Sequence, residues 1–255
     1  MGIINKIKYY KMGQKEKPKF FYTQDELKEF EDYITKTFGE FNTVYHELYS
    51  PDIHVDIIIV PPSAKENYYK LITMGMGAYK MNVPKDLEDY NYDRSELIIY
   101  LPANWNMKFT DKEYGWVARN LKTISRIPIE ENSWVGFGHT FSHSTNGDIP
   151  FADNIKFSGM LLIDAVSYSG KELHLNLENK GKINFYQLIP LYKEELQYLN
   201  EYGLEELLKR LVKSELNLIV DINRKNCCEQ DLKPDLKENY IDIDEDLEKW
   251  KQKKG

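Results

Sequence analysis

The sequence predicts an α+β domain built on a central mixed β-sheet flanked by helices. Three observations carry this. Short runs rich in Val, Ile, Tyr and Phe recur along the chain, bounded by Gly, Pro, Asn and Asp. Amphipathic stretches with helix-capping residues lie among them. No apolar run approaches the roughly 18 residues a membrane helix needs, so the apolar residues have a soluble core to fill. With 255 residues, 42% of them hydrophobic, and a net charge of -7, the chain suffices for one large domain with appendages.

The elements follow in order. Residues 1–20 read as a basic arm, 21–220 as the domain and 221–255 as a charged tail. Thr23-Gln24-Asp25-Glu26 is a capping box. The helix it opens carries Leu27, Phe30, Ile34 and Phe38 on one face, and Gly39 stops it. Strands are expected at Thr43–Tyr49, Ile53–Val60, Tyr68–Met74 and Glu96–Leu101. Pro61-Pro62 ends the second of these, because proline cannot donate to a central ladder. A second capping box, Thr110-Asp111-Lys112-Glu113, predicts a helix with Trp116, Val117, Leu121 and Ile124 inward and Pro128 just beyond its end. Residues 129 to about 156 form the longest irregular stretch, a length that often marks a functional loop. Strands return at Ser158–Ala165, Glu172–Leu177 and Ile183–Pro190. Helices follow at Lys193–Tyr202 and Leu204–Lys213, and a short acidic helix is expected around Asp244–Lys251.

The acidic balance argues against general nucleic-acid binding and suits a basic protein partner. The N-terminus lacks the apolar core and cleavage site of a secretory signal. Cys227 and Cys228 are the only cysteines. Adjacent cysteines rarely form a structural disulfide, so a reducing, cytoplasmic setting is expected.

Several chemistries are absent as written. Gly75-x-Gly77 lacks the third glycine of a dinucleotide fingerprint, and there is no phosphate-loop lysine. His139 and His143 are four apart, but Thr140 stands where a zincin needs glutamate. Ser142 and Ser144 lack the context of a nucleophile. No catalytic residue, metal or cofactor is therefore assigned. Two polar features remain. His54 and Asp56 lie two apart in an apolar run and share a face if extended. They suit a base with its orienting carboxylate, a polar contact on a binding face, or a buried pair that fixes register. His139, beside a glycine turn, either lines a cleft or bonds to backbone.

A set of short motifs, in order, resembles the suppressor-of-fused domain family. His54-Val55-Asp56, Thr73-Met74-Gly75-Met76 and Met81-Asn82-Val83-Pro84 come first. Glu96 to Pro102, Trp116 to Pro128, and Trp134 through Gly138-His139-Thr140 follow. Leu188-Ile189-Pro190-Leu191-Tyr192 with Glu194-Glu195 closes the set. The resemblance implies a mixed sheet with flanking helices and no catalytic activity. It implies a cytoplasmic protein-binding module. The animal member of the family binds a transcription-factor peptide by strand addition. It also has a second domain, for which too few residues follow the motifs here. Stand-alone bacterial members resemble immunity proteins, so a protein partner such as a basic nuclease-type toxin is expected, with no nucleic acid or membrane bound directly; a regulatory scaffold that binds an endogenous peptide by strand addition is the alternative reading, and an uncharacterised enzyme the third. The contacts this implies are His54, Asp56, Tyr79, Trp134, His139 and Thr140.

Overall fold

Burial on both faces explains why the central strands read as unbroken apolar runs rather than alternating ones. In a computed structural model, which describes residues 18–166 and 172–229, eight strands form one mixed sheet. Their order is β1-β2-β3-β4-β8-β6-β5, with β7 paired to β8. Residues 1–17 of the expected basic arm and the acidic helix expected near 244–251 lie outside the described residues. The chain divides into two compact units, and the division cuts β4 after Ile98 and β8 after Phe185.

The first unit holds the chain up to Ile98, Ala118–Val135 and His174–Phe185. Helix α1 (Gln24–Phe38) starts at the capping box read from the sequence: Glu26 N–H donates to Thr23 Oγ1 and Thr23 N–H to Glu26 Oε2. Its buried face is led by Phe30 and Ile34, and Phe30 stacks against Tyr22. Strands β1 (Thr43–Tyr45), β2 (Asp56–Val60) and β3 (Tyr68–Met74) pair antiparallel, with Asp56 opposite Met74. β4 (Ser95–Pro102) begins here. The last residues of helix α2 (Trp116–Ile124) and the short α3 (Ile127–Glu130) belong to this unit. So do β7 (His174–Leu177) and the first residues of β8 (Gly181–Tyr192).

The second unit holds Ile99–Val117, Gly136–Leu173 and the chain from Tyr186 onward. It contains β5 (Thr140–Ser142), β6 (Phe157–Asp164), the rest of β8, α4 (Lys193–Tyr202) and α5 (Leu204–Lys213). Leu161, Ile163, Ile189 and Leu191 from the strands pack on Leu196, Leu207 and Leu211 from the two helices.

Several local expectations change. The strand expected over 43–49 stops at Tyr45, because Glu47 N–H turns away to donate to Asp56 Oδ1. The capping box at 110–113 does not open a helix. Asp111 Oδ1 instead accepts from the Glu113 and Tyr114 N–H groups in a turn, and α2 starts at Trp116. Pro128 lies beyond α2, as expected, but it also sits in the first turn of α3, where its missing N–H is harmless. The stretch expected to be irregular also contains β5.

Gly75 is the most tightly enclosed described glycine of the first unit. Its φ is +127°, and a Cβ there would run into the His54 carbonyl oxygen. Gly75→Ala is expected to cost about 3 kcal/mol of unfolding free energy, because strain at positive φ adds to a clash with backbone. A urea midpoint indistinguishable from that of the unaltered chain would overturn this.

Candidate functional site

The site is built from the loop joining β1 to β2. Asp56, the first residue of β2, is 5% exposed. Its Oδ2 lies 2.8 Å from His46 Nδ1, and its Oδ1 lies 3.1 Å from His54 Nε2 and accepts from Glu47 N–H at 2.8 Å. Burial pushes this carboxyl up, but hydrogen bonds from His46 and His54, and that of the Glu47 amide, outweigh it. The net effect holds it well below the ordinary carboxylate range.

His54 Nδ1 reaches Ser50 Oγ at 2.7 Å, and Ser50 Oγ also lies 2.7 Å from Glu47 Oε2. Ser50 has one hydroxyl proton, given either to Glu47 or to His54. Glu47 then joins the loop to the α2 end of the unit: Arg126 Nη2 donates to its Oε1 at 2.6 Å, and Lys122 Nζ lies 3.5 Å away. Val55 N–H donates to Glu47 Oε2. The loop is therefore fastened at residues 46, 47, 50, 54 and 55. Between the fastenings Leu48 and Tyr49 are 88% and 70% exposed.

Ser50, His54 and Asp56 make a hydroxyl–imidazole–carboxylate line. It is not arranged for acyl transfer. Ser50 is 1% exposed, and the Glu47 carboxylate beside its Oγ would repel an oxyanion formed there.

A second buried carboxylate lies deeper. Glu96 in β4 is fully buried. Its Oε1 accepts from the Tyr22 hydroxyl (2.8 Å) and from the N–H groups of Gly75 (2.9 Å) and Gly77 (3.0 Å), and its Oε2 from Thr73 Oγ1 (2.6 Å). Burial pushes its pKa up to about 7 against the pull of these donors. Thr73 Oγ1 also has the Leu97 carbonyl within reach at 3.5 Å. A protonated Glu96 can thus donate to Thr73, which turns its own proton to Leu97.

Of the residues read from the sequence, His54 and Asp56 are in contact, within a cluster that holds them from several sides. Tyr79, half-buried, packs edge-on against Phe20, whose carbonyl accepts from His54 N–H. Trp134, half-buried, stacks on Tyr92, which stacks in turn on Tyr90. His139 and Thr140 lie in the second unit. There the His139 carbonyl accepts from Leu162 N–H, and Thr140 pairs with Leu161. Sequence reasoning missed His46, Glu47, Ser50, Arg126 and the burial of Glu96. Glu96 did leave a signal, a lone acid in an apolar strand. The others are joined by contacts that no local pattern encodes.

The two carboxylates give opposite pH slopes. For Glu96 the folded pKa is raised. Its contribution is complete below pH 4.5 and is lost as pH rises toward about 7. The loss is about 3 kcal/mol. Glu96→Gln is expected to flatten that fall, since its amide can donate to Thr73 and let Thr73 turn to Leu97. Glu96→Leu, which strands the Tyr22, Gly75 and Gly77 donors, is expected to cost about 3–5 kcal/mol. Urea unfolding at several pH values checks both; equal slopes in the unaltered chain and the Gln variant would sink the assignment. For Asp56 the folded pKa is depressed. Its contribution is present above 3.8 and is lost as pH falls below that value. Asp56→Ala is expected to cost about 3–5 kcal/mol at neutral pH by removing the acceptor shared by two histidines and the Glu47 amide, and a loss below 1 kcal/mol would contradict the cluster's role.

Comparisons with known proteins agree with the geometry. The family profile of Suppressor of fused protein (SUFU) matches residues 51–225. An uncharacterized protein of Ureaplasma parvum serovar 3 is 26% identical over 211 residues, which cover 80% of this chain and 96% of that protein. Among solved structures, a suppressor-of-fused homolog from Neisseria gonorrhoeae FA 1090 matches with TM-score 0.56 and 16% identity, over 80% of this chain and 98% of its own. A chain of the Sufu–Fu complex matches with TM-score 0.54 and 15% identity, over 83% of this chain and 93% of its own. Drosophila Suppressor of Fused gives TM-score 0.54 and 14% identity, and there 83% of this chain covers only 54% of the longer protein. The structural likenesses show a shared fold. The profile spans His54, Asp56, Gly75 and Glu96, and so includes both buried carboxylates. The chain belongs to the suppressor of fused protein family.

Proposed function

We propose that this chain is a non-enzymatic protein-binding module, acting as an immunity protein that neutralises a basic, nuclease-type toxin by covering its active surface. The observation that carries this is the fastened loop at residues 46–55. Large apolar side chains on a mobile loop would lose much of their binding energy to ordering. Leu48 and Tyr49 are instead presented by a backbone already held by Asp56, Glu47 and Arg126. Such rigid apolar anchors are what interface hot spots require. A net charge of -7 favours a basic partner, since complementary fields speed association. The Sufu–Fu complex supports protein binding as the mode of action within this fold. The unbridged Cys227 and Cys228 support a reducing, cytoplasmic setting.

His54 and Asp56 contribute by holding the loop. Tyr79, Trp134, His139 and Thr140 are proposed as further contacts. One observation favours a second reading, an endogenous peptide added as a strand: among the described residues β1 is the end strand of the sheet.

The test is coexpression with the product of the neighbouring gene, scored by rescue from toxicity and by copurification. The double variant Leu48→Asp/Tyr49→Asp is expected to weaken the complex about a hundredfold. It should change stability by less than about 0.5 kcal/mol, because both side chains are exposed. No rescue and no complex would remove the immunity reading, and micromolar binding of extended peptides would then favour strand addition. Rescue that the double variant leaves intact would remove the loop from the interface.

A further inference from the structure

The second unit contains a cavity of about 500 Å³ that none of the residues above explains. That volume lies in the range of small-molecule sites. We propose that it binds the phosphate group of a small phosphomonoester.

The floor of the cavity is a β-bulge. Phe157 pairs with Tyr192 and Gly159 with Leu191, so Ser158 is the extra, unpaired residue of β6. A bulge re-aims the side chain it carries. Ser158 lines the cavity, is 2% exposed, and its Oγ has no hydrogen-bond partner among the described residues. Leaving a buried hydroxyl this way is costly, and water or a ligand is the usual reason for one. Gly147, also on the wall, lies close to Leu196, and a Cβ there would sit 2.8 Å from Leu196 Cδ1.

The opposite side is the start of α4. Gly159 has no side chain, and a Cβ there would collide with Leu196. The helix can therefore press its first turns against the bulge, and Lys193 and Glu194 line the cavity. First-turn N–H groups lack intrahelical acceptors, and the helix dipole favours an anion beside them.

Basic and acidic side chains both line the cavity. Lys156, Lys193 and Lys225 line the cavity. Arg224 also lines it but is engaged by Glu195 and the Pro190 carbonyl. Of the acids, Asp148 accepts from Ser144 Oγ at 2.6 Å, and Glu194 accepts from Asn226 Nδ2 at 2.7 Å. Glu229 is exposed at the rim. A dianion can use the hydroxyl, the helix amides and the lysines together. The Asn154 and Asn223 amides remain for the organic portion of the ester.

The test is calorimetric titration of the full chain with inorganic phosphate and, separately, with adenosine 5′-monophosphate at constant ionic strength. Saturable binding is expected, weakened about tenfold by Ser158→Ala and by Lys193→Gln. Tighter binding of the nucleotide than of phosphate identifies an ester site, and equal binding identifies a site for free phosphate. Ser158→Ala is also expected to leave the urea midpoint unchanged or raise it, because it deletes an unpartnered hydroxyl. No saturable binding of either probe at roughly 10 mM overturns the proposal. Binding that neither variant weakens overturns it as well. Should Ser158→Ala unfold the chain, the hydroxyl is structural and Lys193→Gln decides alone.

Discussion

The first unit is organised around a carboxylate that has been taken out of water. Glu96 accepts from a side chain ahead of α1, from β3, and from both glycines of the turn after β3. The Tyr22, Gly75 and Gly77 donors would be stranded without it, so the four segments keep one register. The constraint propagates. Gly75 must bring its N–H to Glu96 while its α-carbon faces the His54 carbonyl, which leaves no room for a side chain. The His54 backbone is fixed by that contact and by Phe20. The His54 ring then meets Ser50 and Asp56, and through them the loop at 46–50 is held. The exposed positions of Leu48 and Tyr49 follow from an acid in another strand.

Much of the framework was legible because it is encoded locally. The apolar pattern marked β3, α4 and α5 at their observed bounds, and the Thr23–Glu26 box marked the start of α1. The His54–Asp56 pair was legible too, though for a different reason from the expected one. His54 lies ahead of β2, and the two side chains meet by belonging to one cluster. β5 was not legible: three residues carry no periodicity, and their pairing is set by β6. Glu47 and Arg126 are 79 positions apart, and nothing near either residue announces the other. Asp111 competed with Thr110 for the same amides and won, turning a capping pattern into a turn.

Buried ion pairs are poor sources of stability, because desolvation offsets most of their attraction. What the Asp56 cluster supplies in this chain is a loop conformation. An apolar loop free to collapse would bury Leu48 and Tyr49 on its own surface, a gain of about 1.5–3 kcal/mol for a fully buried large side chain. The fastenings at residues 46, 47, 50, 54 and 55 deny it that option.

The second unit shows the complementary situation at Ser158, where a polar group rather than an apolar one is left unsatisfied. In both places the described residues leave a cost that they do not offset. The kind of group that would offset each differs: an apolar protein surface for exposed Leu48 and Tyr49, an anion for a buried hydroxyl beside a helix start and lysines. Since each cost arises among residues of a single unit, losing one leaves the physical basis of the other intact.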